Sequence, residues 1–147
     1  MWAVSLRSSI IAHIFVPLSG ALSVQGGNMV KATCHCGNIV ITADMLLESI
    51  TSCNCSMCYR LGALWAYYTV DQVDIKVKSE ATVHLWGSKV RSYHSCTFCG
   101  CTTHYTQKRD DGTNRVAINT RMATPELFKS VNVRFFDGAD TFKYVDQ

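Results

Sequence analysis

The segment C-N-C-S-M-C-Y-R-L-G, residues 53–62, puts Cys53, Cys55 and Cys58 within six residues and follows them at once with Arg60. Thiols spaced this closely rarely reach the geometry that a disulfide needs. They suit a metal. Zinc accepts cysteine sulfurs at about 2.3 Å, and three protein ligands leave its fourth tetrahedral position open. An open position distinguishes a metal that does chemistry from one that only staples a fold.

Working outward, all eight cysteines of the 147-residue chain fall into three clusters: Cys34 and Cys36, then the triad, then Cys96, Cys99 and Cys101. Disulfide cysteines in small secreted domains spread along the chain, so clustering at C-x-C and C-x-x-C spacing favours metal ligation over disulfides or redox-active dithiols. The C-H-C-G at 34–37 reads as a tight turn between two strands, with Gly37 allowing the backbone to fold back under a metal. The C-x-x-C-G at 96–100 is half a zinc knuckle and needs two more ligands. Joining Cys34 and Cys36 to Cys96 and Cys99 closes a four-thiolate site and leaves the triad for a second metal. Cys101 is then spare: a fourth ligand for the triad, an alternative ligand of the first site, or a small buried hydrophobe, the reading we favour.

The chain around these clusters is β-like. Short runs rich in Val, Ile and aromatics cover residues 29–33, 38–43, 63–70, 73–77, 83–86, 90–94, 102–108, 115–119, 131–136 and 141–145. Turn residues separate them, including Gly87-Ser88 and Asp110-Asp111-Gly112. Residues 45–50 read as a connector, and Thr124-Pro125-Glu126 as the start of one helical turn capped by Thr124. The expectation is an all-β, β-dominated fold, a small two-sheet, zinc-bound one built from short antiparallel strands with at most short helical turns, over a single domain at residues 29–147. Residues 1–28 differ in texture and read as an extension or a weak signal-like segment, whose apolar run is far short of the ~20 residues of a membrane-spanning helix.

Composition narrows the classes. Apolar residues make up 48% and charged residues 17%, which is globular and not disordered. The net charge of +3 suits a small anionic ligand but lacks the Lys/Arg clustering of a nucleic-acid binder. No nucleic-acid or membrane partner is expected, and thiolates needed for metal binding place the chain in a reducing, cytoplasmic setting. The oligomeric state is not legible.

Three ordered motifs, C-H-C-G at 34–37, C-N-C-S-x-C-x-R-x-G at 53–62 and C-x-x-C-G at 96–100, together resemble the glutathione-dependent formaldehyde-activating enzyme family, which includes the domain of centromere protein V. The resemblance runs from Met29 to about Asn119. It implies a small β-rich fold with two zinc ions, a structural one on Cys34, Cys36, Cys96 and Cys99 and a catalytic one on Cys53, Cys55 and Cys58. It also implies a carbon–sulfur lyase acting on the adduct of glutathione and formaldehyde, S-hydroxymethylglutathione, or on a similar small thiol conjugate. Ser95 departs from the family's usual aromatic before the knuckle, and residues 1–28 have no counterpart.

Three thiolates give zinc a formal charge of about −1, poor for activating water and suited to an incoming thiolate. Arg60 is a candidate partner for a substrate carboxylate, set against a plain solvated charge. Trp65, Tyr67 and Tyr68 could wall a pocket but read first as core. His35 points away from the metal, and His94 and His104 read as exposed histidines before they read as donors to a site. The competing functions are a binding module with two structural zincs, which a filled fourth position on the triad would favour, and an iron–sulfur protein.

Overall fold

The computed structural model of the protein describes residues 29–45, 47–129 and 131–145. The expectation for residues 1–28 lies outside the described residues.

Two sheets carry the fold. The smaller contains β1 (Val30–Thr33), β2 (Ile39–Ala43) and β5 (Val73–Val77), all antiparallel in the order β1-β2-β5. The larger has eight strands. Besides β3 (Ser49–Cys53), β4 (Leu64–Thr69), β6 (Ala81–Leu85) and β7 (Arg91–Cys96), it includes β8 (Thr102–Lys108), β9 (Asn114–Asn119), β10 (Asn132–Asp137) and β11 (Lys143–Val145). Their order is β11-β10-β3-β4-β9-β8-β7-β6. The β-dominated expectation therefore stands, with one difference in pairing: β10 lies parallel to β3, Val133 opposite Ile50 and Phe136 opposite Cys53.

The alternation of the strands builds two cores, because successive side chains point to opposite faces. In β2 the alternate residues Ile39, Ile41 and Ala43 are buried. They meet Val30 of β1 and Ile50, Ala66, Tyr68, Val116 and Ile118 of the large sheet, filling the space between the sheets. Burying a side chain the size of Ile39 or Ile41 stabilises by roughly 1.5–3 kcal/mol. The opposite face of the large sheet carries a second cluster of Trp65, Tyr93, Tyr105 and Ala117, packed with Cys58 and Ala63.

Two short helices complete the fold. α1 (Ser56–Leu61) sits inside the 53–62 motif, and Gly62 ends it in the left-handed region at φ 58°, its amide among those that meet the last carbonyls. Glycine adopts that conformation without the Cβ penalty. α2 (Pro125–Phe128) starts where the Thr-Pro-Glu signal places it, with Pro at its first turn. The expected Thr124 side-chain cap is not made; the Thr124 carbonyl accepts from the Leu127 amide instead. The segment read as a connector at 45–50 gives up its last two residues to β3, a central strand.

Candidate metal and substrate site

The triad is assembled by a strand, a loop and a helix in succession. β3 ends at Cys53, Cys55 is the N-cap of α1, and Cys58 lies in its first turn. An N-cap side chain and one three residues on face each other across the first turn, and the strand end supplies the third. The sulfurs of Cys53, Cys55 and Cys58 lie within 4.8 Å of one another, and among the described residues no fourth Cys, His or carboxylate joins the group. Cys58 is buried, while Cys53 and Cys55 are partly exposed, so the cluster has a closed floor and an open side.

Two features hold this cup that its motif does not announce. The indole Nε1 of Trp65, only 1% exposed, donates to the Cys58 sulfur at 3.2 Å. The β10–β11 turn crosses above Cys53: a Cβ placed on Gly138 would stand 2.6 Å from the Cys53 sulfur. Asn54, between two of the cysteines, ties itself to that turn. Its Nδ2 donates to Asp137 at 2.8 Å, and its Oδ1 accepts from the Ala139 amide at 3.0 Å. Asp137 also accepts from the Thr141 amide and hydroxyl, and these bonds, led by that from Asn54, hold its carboxyl down at about 2. The thiols share protons: a side-chain hydrogen bond with Cys58 draws Cys53 down to about 5 and raises Cys58 correspondingly.

The second group joins residues sixty positions apart. Cys34, Cys36, Cys96 and Cys99 also bring their sulfurs within 4.8 Å of one another. The Cys34–Cys36 separation is 3.7 Å and the Cys36–Cys96 separation 3.5 Å. A tetrahedron of sulfurs at 2.3 Å from a central ion has edges of about 3.8 Å, so the donor set fits zinc in both chemistry and size. Gly37 lets the 34–37 turn fold at φ 73°. The Ile39 amide donates to the Cys34 sulfur at 3.2 Å and the Asn38 side chain to Cys96 at 3.6 Å. Asn38 also binds the backbone at Ser79 and Glu80, anchoring the cluster to the β5–β6 connection. Cys101 lies outside both groups and packs against the inter-sheet core.

The remaining candidates separate. Arg60 is exposed, and its Nη1 donates to the Ser56 carbonyl of its own helix at 3.0 Å. His35 is exposed. His94 and His104 are not: they stack at 4.2 Å between ring centroids, opposite each other on β7 and β8, and His104 is 3% exposed. Thr103, His104 and Tyr105 are buried in succession on β8, so the strand is covered on both faces there, and that overrides the usual exposure of histidine. Trp65 and Tyr68 are core, as their type suggests, but Trp65 also touches a cysteine of the triad. Arg91, Arg115 and Arg134 carried no signal in the sequence, since only strand register places them on the same face as Trp65.

The sequence profile of the glutathione-dependent formaldehyde-activating enzymes matches residues 29–136. The chain belongs to that family. Among solved structures, it is similar to the crystal structure of a Rhodobacter sphaeroides protein, with 26% identity over 70% of this chain and 98% of that one, at a TM-score of 0.57. No curated protein matches it. Among the described residues no helix is long and apolar enough to cross a membrane.

Proposed function

We propose that the protein is a zinc-dependent carbon–sulfur lyase that makes or breaks the adduct of glutathione, or a similar small thiol, with formaldehyde. The observation that carries the reading is the incomplete triad, three sulfurs within 4.8 Å with no fourth protein ligand among the described residues. A four-sulfur group in the same chain shows what a closed set looks like here, and the triad differs from it by one position and an open side. The family supports a glutathione-related thiol and formaldehyde.

In this reading Cys34, Cys36, Cys96 and Cys99 hold a structural zinc, and Cys53, Cys55 and Cys58 hold a catalytic one. When bound, the latter supplies a Lewis-acidic centre that favours a deprotonated sulfur near neutral pH. In the forward direction the thiol sulfur bonds to the aldehyde carbon, and the proton it loses ends on the former carbonyl oxygen; the reverse step returns both. Trp65, Tyr93 and Tyr105 form a dry wall beside Cys58. Burial keeps the Tyr93 and Tyr105 phenols protonated, so Tyr93, within the field of Cys58 and Cys55, can donate a hydrogen bond to the aldehyde oxygen. Arg60, exposed at the end of α1, keeps donors free for a substrate carboxylate. The eight free thiols suit a reducing compartment, and we place the protein in the cytoplasm.

Exchange NMR on reduced, zinc-loaded protein tests the reading. Glutathione–formaldehyde adduct exchange should run faster than the spontaneous rate and return to it in Cys55→Ser. Two bound zincs without acceleration would instead make both metals structural and the chain a binding module.

A further inference from the structure

The face of the large sheet that carries the triad also carries a row of polar side chains whose arginines make no ion pair among the described residues. In register, Arg91 of β7 stands opposite Gln107 of β8, which stands opposite Arg115 of β9. Side chains at paired positions lie on one face, and all three are two residues along from Tyr93, Tyr105 and Ala117 of the aromatic wall. The row is therefore the next one out from the wall that touches Cys58.

Both guanidinium groups lean inward over that wall. Arg115 lies 4.6 Å above the Tyr67 ring and Arg91 5.8 Å from the Tyr105 ring. Neither has a carboxylate within ion-pair distance, because the ion pairs among the described residues are Lys76–Asp74 and Arg109–Asp111. Between the two, the amide oxygen of Gln107 is buried and has no hydrogen-bond partner. A cleft of about 200 Å³ opens beside Arg115, lined by Tyr67, Thr69, Gln72 and Arg109. Two cations without a carboxylate partner, flanking an acceptor without a donor, are the complement of a carboxylate next to an N–H donor. A carboxylate and an ammonium on one carbon are what the free α-amino-acid end of a γ-glutamyl thiol such as glutathione presents.

We propose that Arg91, Arg115 and Gln107 form the subsite for the α-amino-acid end of the thiol substrate, the arginines taking its carboxylate and the Gln107 amide oxygen its ammonium. This rests on the lyase reading for the identity of the ligand as a thiol. Trp65, which touches Cys58, lies four residues along β4 from Thr69, the partner of Arg115. That is roughly 13 Å at strand rise, more than the ~10–11 Å of three extended residues, and the inward reach of both arginine side chains over the wall makes up the difference. The aromatic wall between them would hold the γ-glutamyl chain that links this end to the cysteinyl sulfur at the triad. Arg134, stacked at 3.7 Å on Tyr144 at the far side of the same face, is not required.

S-Methylglutathione tests this, since it keeps both carboxylates and the ammonium but has no thiol to bring to the triad. Calorimetric titration of the zinc-loaded protein should give saturable binding. That binding should weaken about tenfold or more for the diethyl ester, and as much for Arg91→Gln and Arg115→Gln, as expected when a charge-assisted hydrogen bond is removed. N-Acetyl-S-methylglutathione should bind less well to the wild type and no less well than its parent to Gln107→Leu. No binding of S-methylglutathione, or equal binding of free acid and diester, would overturn the subsite whether or not the variants fold. Adduct exchange measured in parallel keeps the two ideas apart. Acceleration without carboxylate dependence removes the subsite alone, and carboxylate-dependent binding without acceleration removes the lyase reading alone.

Discussion

Gly138 shows how one missing methyl shapes this site. The glycine is not needed for an unusual backbone angle; what it gives is room, because a Cβ there would sit 2.6 Å from the Cys53 sulfur. Real Cβ atoms do not approach so closely, so alanine forces the β10–β11 turn or the sulfur to move. The turn is tied to Asn54 through Asp137, which leaves the sulfur as the softer partner. Gly138→Ala should therefore lower the bound metal from two ions per chain to about one, read by mass spectrometry under native conditions, while the four-sulfur group keeps its ion. Two retained ions with unchanged chelator resistance would mean that the turn yields without disturbing Cys53.

At the scale of elements, the β7–β8 pair sets two histidines face to face on the opposite side of the sheet from Tyr93 and Tyr105. Burial first, and the neighbouring charge of His94 second, hold His104 down to about 3. A histidine depressed in this way stays neutral in the folded chain, while the unfolded chain takes up a proton below about 6.5. Its contribution is thus intact above about pH 6.5 and is lost as pH falls toward 3, at up to about 1.4 kcal/mol per pH unit. Urea unfolding at pH 7 and pH 5 should show a drop in midpoint for the wild type that is clearly smaller in His104→Gln. An identical drop in both would assign the acid sensitivity to other groups, the thiols foremost.

For the molecule as a whole, the four-sulfur group is the tie between the small sheet and the large one. Cys36 and Cys96 are sixty residues apart in sequence, and closing a loop of that length in the unfolded chain is worth about 4 kcal/mol in the chain-entropy picture. Structural zinc adds its ligation energy directly to folding. Cys96→Ser should lower the melting temperature by ten degrees or more, as roughly 4 kcal/mol implies for a domain of this size. Cys55→Ser, which touches only the open cup, should cost a few degrees. Comparable losses in the two would make the triad as structural as the other group.

The sequence by itself determined the two sulfur sets and the β-dominated fold. Cysteine spacing is local, and strand alternation with turn residues repeats every few positions, so both are visible without knowing what lies opposite. Gly37 was legible for the same reason, since it answers to its own backbone angle. Tertiary structure decided the rest. β3 was hidden because its sequence, S-I-T-S-C, lacks a strong β pattern and gains its place from neighbours on both sides, one of them parallel. Trp65 became a partner of Cys58, Gly138 a lid on Cys53, and Arg91 and Arg115 members of one row only through pairing between distant segments. Which side chains share a face depends on strand register, and register is settled by which faces can be buried together. A chain fixes its cysteine clusters by spacing, but it fixes what stands around them only by folding.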